Sequence, residues 1–202
     1  MSQIILDFGS GGTCRNDIKI VKRMIDEIYS IDSGKHEIVF KFQLFEKAGN
    51  NIPLDHEVFE WAYDYARLHG YQTTASVFDI PSLDFLLCFD IPFVKIANRG
   101  DLHYLTGYVP RRTRVLISAG SRDKMNYDRL CCVSEYPAKT ADYEQRFDKH
   151  DLKYGISDHT TNWKLFKKYH PDIYEVHYKL SDSVGLDAGK FSRTPKDLKA
   201  IL

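Results

Sequence analysis

The sequence predicts an α/β fold, a minimal (β/α)₈ TIM barrel in which some helices are shortened or missing. Eight short apolar runs of strand length, and helical patterns between several of them, are the first two observations. The third is that no linker divides the 202 residues. Alternating strands and helices form parallel sheets joined by crossovers, and eight such units close into a barrel. We therefore expect a single domain over residues 1–202.

The eight apolar runs have the composition and the length of strands. They are rich in Ile, Val, Leu or Phe, and each ends in a polar or small residue. In chain order, the predicted strands cover 4–8, 37–43, 72–78, 92–97, 114–119, 129–134, 153–157 and 173–178.

Helical periodicity separates several of these strands. The first helix has apolar residues every three to four positions behind a cap at Asn16 or Asp17, and Gly70 stops the second. Pro171 stops the last one. The predicted helices cover 21–28, 58–66, 81–88 and 161–170.

One side of the barrel is too short for a full unit. Only residues 121–128 separate the fifth and sixth predicted strands. A crossover helix usually needs about a dozen residues or more. Either the barrel lacks a helix on that side or one strand assignment is wrong, and we favour the barrel with a stripped side.

Composition excludes several classes of function. The 28 basic and 28 acidic residues cancel, which disfavours binding to nucleic acid or to a membrane surface. No apolar stretch reaches the ~18 residues of a membrane span, and the N-terminus lacks the layout of a signal peptide. The cysteines fit no metal or disulfide spacing, so we expect reduced thiols in a cytoplasmic protein. They are Cys14, Cys88, Cys131 and Cys132.

Chemically versatile side chains collect at the predicted strand ends. In a parallel barrel these ends meet at one mouth, and residues two apart in a strand share a face. Lys41 and Lys95 each close a strongly apolar run, so their charges must face polar space inside the mouth. Two converging ammonium groups need an anion, and a phosphate or carboxylate is the natural candidate. The alternative is that each lysine faces water at a strand edge.

Two histidines occupy equivalent ends of the last two predicted strands. Neighbouring parallel strands lie ~4.8 Å apart, so His159 and His177 could share one divalent ion. Glu175 lies two residues before His177 and could join or orient that ion. Nitrogen and oxygen ligands together suit Mn²⁺ or a similar metal. The alternative is a pair of ordinary polar residues.

A glycine-rich turn follows the first strand and supports a different interpretation. Residues 6–12 resemble the first motif of S-adenosylmethionine-dependent methyltransferases and, loosely, a dinucleotide-binding turn. Those folds place an acidic residue at the end of the second strand, to hold the ribose. Here that strand ends in Lys41 and Gln43, so the turn alone is weak evidence.

Taken together, the strand ends resemble the sialic acid synthase family, which makes N-acetylneuraminate and its relatives. The most specific elements are Ser-Asp-His-Thr at 157–160 and Ile-Pro-x-x-Lys-Ile-Ala at 91–97. The ordered set covers nearly the whole chain. It comprises 41–43, 78–79, 82–86, 91–97, 116–120, 136–137, 154–160 and 175–177.

The resemblance implies a barrel that condenses phosphoenolpyruvate with an N-acetylated amino sugar such as N-acetylmannosamine, with loss of phosphate by C–O cleavage. It implies that Lys41 and Lys95 hold phosphoenolpyruvate. A divalent metal, Mn²⁺ or Mg²⁺, would sit on His159 and His177 and polarise the sugar aldehyde. The other implied substrate-binding residues are Ser76, Ser118 and Ser157 for the anion, Gln43, Tyr136 and Asp187 for the sugar, and Ser134 in place of an asparagine. The implied catalytic carboxylates are Asp101 and Asp7.

Several departures from the family pattern concern the sugar. Residues 10–13 replace an Asn-His pair, and the segment after Gln43 is shortened. The loop 98–101 carries one extra residue, and both catalytic carboxylates are one methylene shorter. The chain stops at Leu202, so we expect no C-terminal antifreeze-like domain, which in the family reaches a partner's active site. A homodimer is a separate expectation. The alternative function is a catalytically inactive barrel that acts as a binding or regulatory partner.

Overall fold

The computed structural model describes residues 1–47, 49–120 and 127–202. Eight parallel strands close into a barrel, and each pairs with the next along the chain until β8 pairs with β1. The predicted (β/α)₈ barrel is confirmed. Its strands are β1 (Gln3–Gly9), β2 (Glu37–Leu44), β3 (Gln72–Val77), β4 (Val94–Ile96), β5 (Val115–Ala119), β6 (Asp128–Cys132), β7 (Gly155–Asp158) and β8 (Ile173–His177).

Short and long helices alternate with these strands. All four predicted helices form, with shifted ends, and 3₁₀ helices cover Gly100–Tyr108 and Leu186–Ala188. The prediction of a stripped side between β5 and β6 falls mainly on 121–126, which lie outside the described residues. The α-helices are α1 (Gly11–Cys14), α2 (Ile18–Ile31), α3 (His56–Leu68), α4 (Ile80–Leu86), α5 (Thr140–Arg146), α6 (Lys149–Tyr154), α7 (Lys164–Tyr169) and α8 (Pro195–Leu198).

The two long helices begin and end where their sequences provide the right caps. Asp17 caps α2 because its side chain accepts a hydrogen bond from the Lys19 amide at 2.8 Å. After α3, Gly70 adopts φ +83°, the left-handed conformation that glycine tolerates best. The apolar stripe of each helix is buried against the outside of the barrel.

The predicted strand over 153–157 starts two residues too early. Lys153 and Tyr154 are instead the last residues of α6. The side chain of Asp148 caps this helix by accepting a hydrogen bond from the Asp151 amide at 2.9 Å. Leu152 is the one buried residue of α6, so the helix shows no repeating apolar period in the sequence.

The interior of the barrel has an apolar lower layer and a polar upper layer. Side chains two apart on a strand point to the same face. Ile5 therefore lies below Asp7, Phe93 below Lys95, and the other plug residues below their own polar partners. The lower layer, here called the apolar plug, consists of Ile5, Val39, Phe93, Leu116, Leu130 and Ile173. A separate and larger core packs between the barrel and its helices.

Among the described residues, no helix combines the length and the apolar character needed to cross a bilayer.

Candidate active site

A ring of buried polar side chains lies directly above the apolar plug, at the carboxyl ends of the strands. The alternation of each strand turns these side chains inward, and none is more than 9% exposed. Polar groups so deeply buried need partners or a ligand. The ring consists of Asp7, Lys41, Gln43, Ser76, Lys95, Ser118, Ser157, His159, Glu175 and His177, and Asp187 joins it from the loop after β8.

Lys41 and Asp7 form a buried ion pair. They are directly opposite each other in the β1–β2 register, and Lys41 Nζ lies 2.8 Å from Asp7 Oδ2. Lys41 also donates a hydrogen bond to Ser76 Oγ at 3.1 Å. Burial opposes both charges, but the neighbouring ammonium lowers the pKa of Asp7, and the carboxylates of Asp7 and Glu175 raise the pKa of Lys41. Both groups therefore stay ionised.

The second lysine lies across the mouth with a looser carboxylate partner. Lys95 Nζ donates to Ser118 Oγ at 2.7 Å and lies 3.6 Å from Glu175 Oε1. Ser157 Oγ donates to the same Glu175 oxygen at 2.8 Å. Burial lowers the pKa of Lys95, whereas the two lysines outweigh burial and lower the pKa of Glu175. The serine hydroxyls thus line a small cradle around Lys95.

Gln43 bridges two carboxylates at the mouth. Its Nε2 donates to Asp7 Oδ2 at 3.1 Å and to Asp187 Oδ1 at 3.0 Å. This places the amide donor, which the resemblance assigns to the sugar, against two side chains of the same site. Asp187 Oδ2 is buried without a hydrogen bond among the described residues.

The two predicted metal ligands lie side by side, with 5.4 Å between the centroids of the His159 and His177 rings. His159 Nδ1 is 2.6 Å from the carbonyl oxygen of Val133, so Nδ1 carries the proton and Nε2 keeps a free lone pair. Burial lowers the pKa of His159 to about 3, and that ring is neutral at physiological pH. His177 Nδ1 lies 3.4 Å from Asp7 Oδ2 and makes no hydrogen bond in the part of the chain that the structure describes.

These donors fit a divalent cation. A neutral imidazole with a free nitrogen suits Mn²⁺, and the buried atoms without partners include oxygens of Glu175 and Asp187. The donors stand too far apart to enclose an ion without moving.

A tighter group of potential metal ligands lies on the surface of the described part of the chain, at Asp148, His150 and Asp151. Exposed acidic groups of that kind are common without an ion.

Three predicted substrate or catalytic residues lie at the rim or beyond it. Tyr136 is half exposed and its ring packs at a tilt against His159, with 4.2 Å between ring centroids. Ser134 is exposed and accepts a hydrogen bond from Asn98 at 2.8 Å. Asp101 lies in the first 3₁₀ helix, with its side chain 62% exposed and paired with Arg99. The structure therefore does not bring Asp101 to the buried ring.

Two site residues were missed by the sequence analysis. Cys132 points inward from β6 above Leu130, beside Ser157 and Lys95, and burial raises the pKa of its thiol to about 11. The alternation of β6 could have identified it. Phe191 contacts the His177 ring edge-on, with 4.9 Å between centroids, and follows no strand pattern that would reveal it.

The glycine-rich turn after β1 is packed against the chain. A Cβ at Gly9 would come within 2.3 Å of Thr13 Oγ1, and one at Gly11 within 2.1 Å of the Pro53 carbonyl oxygen. These glycines permit close approach of the mouth loops to one another. A closed barrel also lacks the open sheet of the methyltransferase and dinucleotide-binding folds. The structure does not support that alternative.

Solved structures with the same barrel are sugar-acid and polysaccharide biosynthesis proteins. The N-acetylneuraminic acid synthetase of Leptospira borgpetersenii, crystallised with citrate, aligns with a TM-score of 0.76 and 23% identity over 98% of this chain and 80% of that one. A spore coat polysaccharide biosynthesis protein of Bacillus subtilis aligns with a TM-score of 0.75 and 18% identity over 98% of this chain and 65% of that one.

A more distant match has the same topology. A truncated 3-deoxy-D-arabino-heptulosonate 7-phosphate synthase of Thermotoga maritima aligns with a TM-score of 0.62 and 11% identity, over 98% of this chain and 83% of that one. No protein-family model and no curated protein matches the sequence significantly. The chain therefore has a sialic acid synthase-like barrel, and at these identities the likeness concerns the fold.

Proposed function

We propose that this protein condenses phosphoenolpyruvate with the aldehyde of an N-acetylated amino sugar, or of a smaller aldehyde, and releases phosphate in a metal-dependent reaction. One observation carries the proposal. Two buried lysines, each hydrogen-bonded to a serine, share a mouth with two adjacent imidazoles. The likeness to N-acetylneuraminic acid synthetase supports it at the level of fold.

The lysines and serines would bind the anion. Lys95, Ser118 and Ser157 form a cradle of donors at one side of the mouth, and Lys41 faces it from the other. Ammonium and hydroxyl donors suit phosphate and carboxylate oxygens. In this arrangement they would orient phosphoenolpyruvate so that its methylene carbon faces the aldehyde.

The reaction forms one carbon–carbon bond and breaks one carbon–oxygen bond. The methylene carbon of phosphoenolpyruvate attacks the aldehyde carbon, water adds to the carbon that bears the phosphate, and inorganic phosphate leaves. A divalent cation held by His159 and His177 would polarise the aldehyde oxygen. Asp7 lies 3.4 Å from His177 Nδ1 and, as an ionised carboxylate, would accept a proton from the water that adds.

Phosphate release tests the proposal. We expect phosphate from a mixture of protein, Mn²⁺, phosphoenolpyruvate and N-acetylmannosamine, and none when the aldehyde is omitted. Glyceraldehyde in place of the sugar tests for a smaller acceptor. The variant Lys95→Met should abolish release. Lys139→Met should not, because Lys139 is exposed at the start of α5 and its side chain makes no capping hydrogen bond. Absence of release with every aldehyde, in protein that binds phosphoenolpyruvate, would exclude catalysis.

A second candidate function is a barrel that binds phosphoenolpyruvate without turnover. The exposed position of Asp101, paired with Arg99, favours it because the carboxylate that the resemblance assigns to catalysis is remote from the ring. This candidate predicts binding of phosphoenolpyruvate in calorimetry together with no phosphate release. The proposed enzyme requires both binding of phosphoenolpyruvate and release of phosphate.

A further inference from the structure

Both lysines of the ring already have carboxylate partners within the protein. Lys41 Nζ lies 2.8 Å from Asp7, and Lys95 Nζ lies 3.6 Å from Glu175. All four side chains are buried. An anion that binds the lysines must therefore compete with groups that no solvent screens. This inference rests on the proposed function and concerns how its anionic substrate enters.

The charges of the ring do not sum to a positive site. Within the described residues, two ammonium groups face the carboxylates of Asp7, Glu175 and Asp187. The remaining buried charges, Asp158 and Arg193, lie 3.6 Å apart and compensate each other. Three carboxylates against two ammonium groups leave a formal excess of negative charge among these five side chains. Such a site repels an anion although it contains two lysines.

Phosphoenolpyruvate makes this repulsion large. A phosphate monoester carries up to about two negative charges at neutral pH, and the carboxylate adds another. Moving such an anion into a buried, negatively charged ring is unfavourable unless a cation enters as well. A divalent cation would reverse the sign of the excess charge.

Glu175 is the group placed to respond to such a cation. It lies two residues before His177 on the same strand face, so the two side chains stand one above the other. Its Oε1 faces Lys95 and Ser157, while its buried Oε2 has no hydrogen bond among the described residues. A cation beside His177 would attract this free oxygen and weaken the hold of Glu175 on Lys95.

We propose that Glu175 is the counter-ion that couples binding of phosphoenolpyruvate at Lys95 to binding of a divalent cation beside His177. Without the cation, Glu175 is the ion-pair partner of Lys95. With the cation, Glu175 turns toward the cation, and Lys95 is free to bind the anion. Glu175 is thus a positioning residue that links the two binding events.

Titration calorimetry on protein stripped with EDTA tests this coupling. We expect phosphoenolpyruvate to bind wild-type protein at least tenfold more tightly with saturating Mn²⁺ than without it. Because coupling is reciprocal, phosphoenolpyruvate should tighten Mn²⁺ binding by the same factor. In Glu175→Gln, binding without Mn²⁺ should tighten, and the dependence on Mn²⁺ should fall below about threefold.

Two further variants serve as controls. Glu37→Gln removes the same charge at the exposed start of β2, at the opposite end of the barrel, and should keep the wild-type coupling. Glu175→Asp keeps the charge and should keep most of the coupling. Thermal unfolding shows whether each variant is folded, and the reciprocal measurement on wild-type protein needs no variant.

The outcomes separate this inference from the proposed function. Equal affinity of wild-type protein for phosphoenolpyruvate with and without Mn²⁺ would overturn the inference and leave the proposed binding intact. Wild-type coupling that persists unchanged in folded Glu175→Gln would exclude Glu175 as the counter-ion. Failure to bind phosphoenolpyruvate under any condition would overturn the proposed function itself, and the inference with it.

Discussion

Individual ionisable residues in the ring hold one another in place. Lys41 and Asp7 are opposite each other across β1 and β2, and each keeps the other charged in a buried setting. Breaking a buried pair by removing one partner costs much more than removing both, because the partner is left as an uncompensated charge. The stability of the ring therefore depends on pairs of residues.

The variant Lys41→Met should be destabilised by about 3–5 kcal/mol, since it leaves Asp7 buried and unpaired. The double variant Lys41→Met/Asp7→Asn should recover most of that loss. Urea unfolding followed by circular dichroism measures both. A double variant as unstable as the single one would show that the pair is not the source of the effect.

Thiol reactivity should distinguish the cysteines. Burial raises the pKa of Cys131 to about 12 and that of Cys132 to about 11, so at pH 8 both remain protonated and unreactive. As pH rises toward these values, their thiolate fractions and alkylation rates should increase. Cys88 is exposed. Iodoacetamide at pH 8, followed by mass spectrometry, should label Cys88 and leave Cys131 and Cys132 unlabelled. Rapid labelling of Cys132 would contradict its buried position.

At the scale of elements, strand patterns were more informative than helix patterns. All eight strands were predicted because each overlaps a short apolar run of strand length. Two of the short helices, α5 and α6, were not predicted, because each buries one residue and has no apolar period. Local periodicity cannot reveal a helix held by its caps and by a single contact.

In the candidate site too, residues on strands were easier to place from the sequence than residues elsewhere. Side chains at strand ends, such as Lys95 and His177, were placed correctly in one ring because strand direction and alternation fix them. Residues on loops were not. Asp101 was assigned by alignment of a loop with one extra residue, and the structure has it exposed. Phe191 reaches the ring through the tertiary path of the chain after β8, which no local pattern encodes.

Helix capping provides a test with an internal control. The Asp17 side chain accepts a hydrogen bond at the start of α2, whereas Asp55 at the start of α3 makes no such bond. Asp17→Ala should therefore cost about 1 kcal/mol of unfolding free energy, and Asp55→Ala less. Chemical denaturation of the two variants compares them directly. Equal losses would indicate that the cap bond of Asp17 contributes nothing measurable.

For the whole molecule, one layer of apolar side chains supports the polar ring from below. Phe93 is fully buried in the apolar plug and lies two residues before Lys95 on the same face. Its removal would leave a cavity directly beneath the cradle. The plug therefore links global stability to the geometry of the site.

The variant Phe93→Ala should lose about 3–5 kcal/mol of unfolding free energy. It should also weaken phosphoenolpyruvate binding, because Lys95 loses the support that fixes its position. Thermal unfolding and calorimetry measure the two effects. Tyr104→Ala, at a residue that is 51% exposed, should change neither. A stable Phe93→Ala protein would show that the plug is not tightly packed.

The apolar plug also determines how ligands enter and leave the barrel. Because the apolar plug closes the bottom of the barrel, every ligand must enter and leave through the mouth. Lys95 lies immediately above the apolar plug, and Tyr136 lies at the rim of the mouth. Of the two organic substrates, the one that binds at Lys95 must enter before the one that binds beside Tyr136, and it cannot leave until that second substrate has gone. An aldehyde analogue bound beside Tyr136 should therefore slow the dissociation of phosphoenolpyruvate from Lys95. Stopped-flow measurements of the dissociation rate, with and without the analogue, test this expectation.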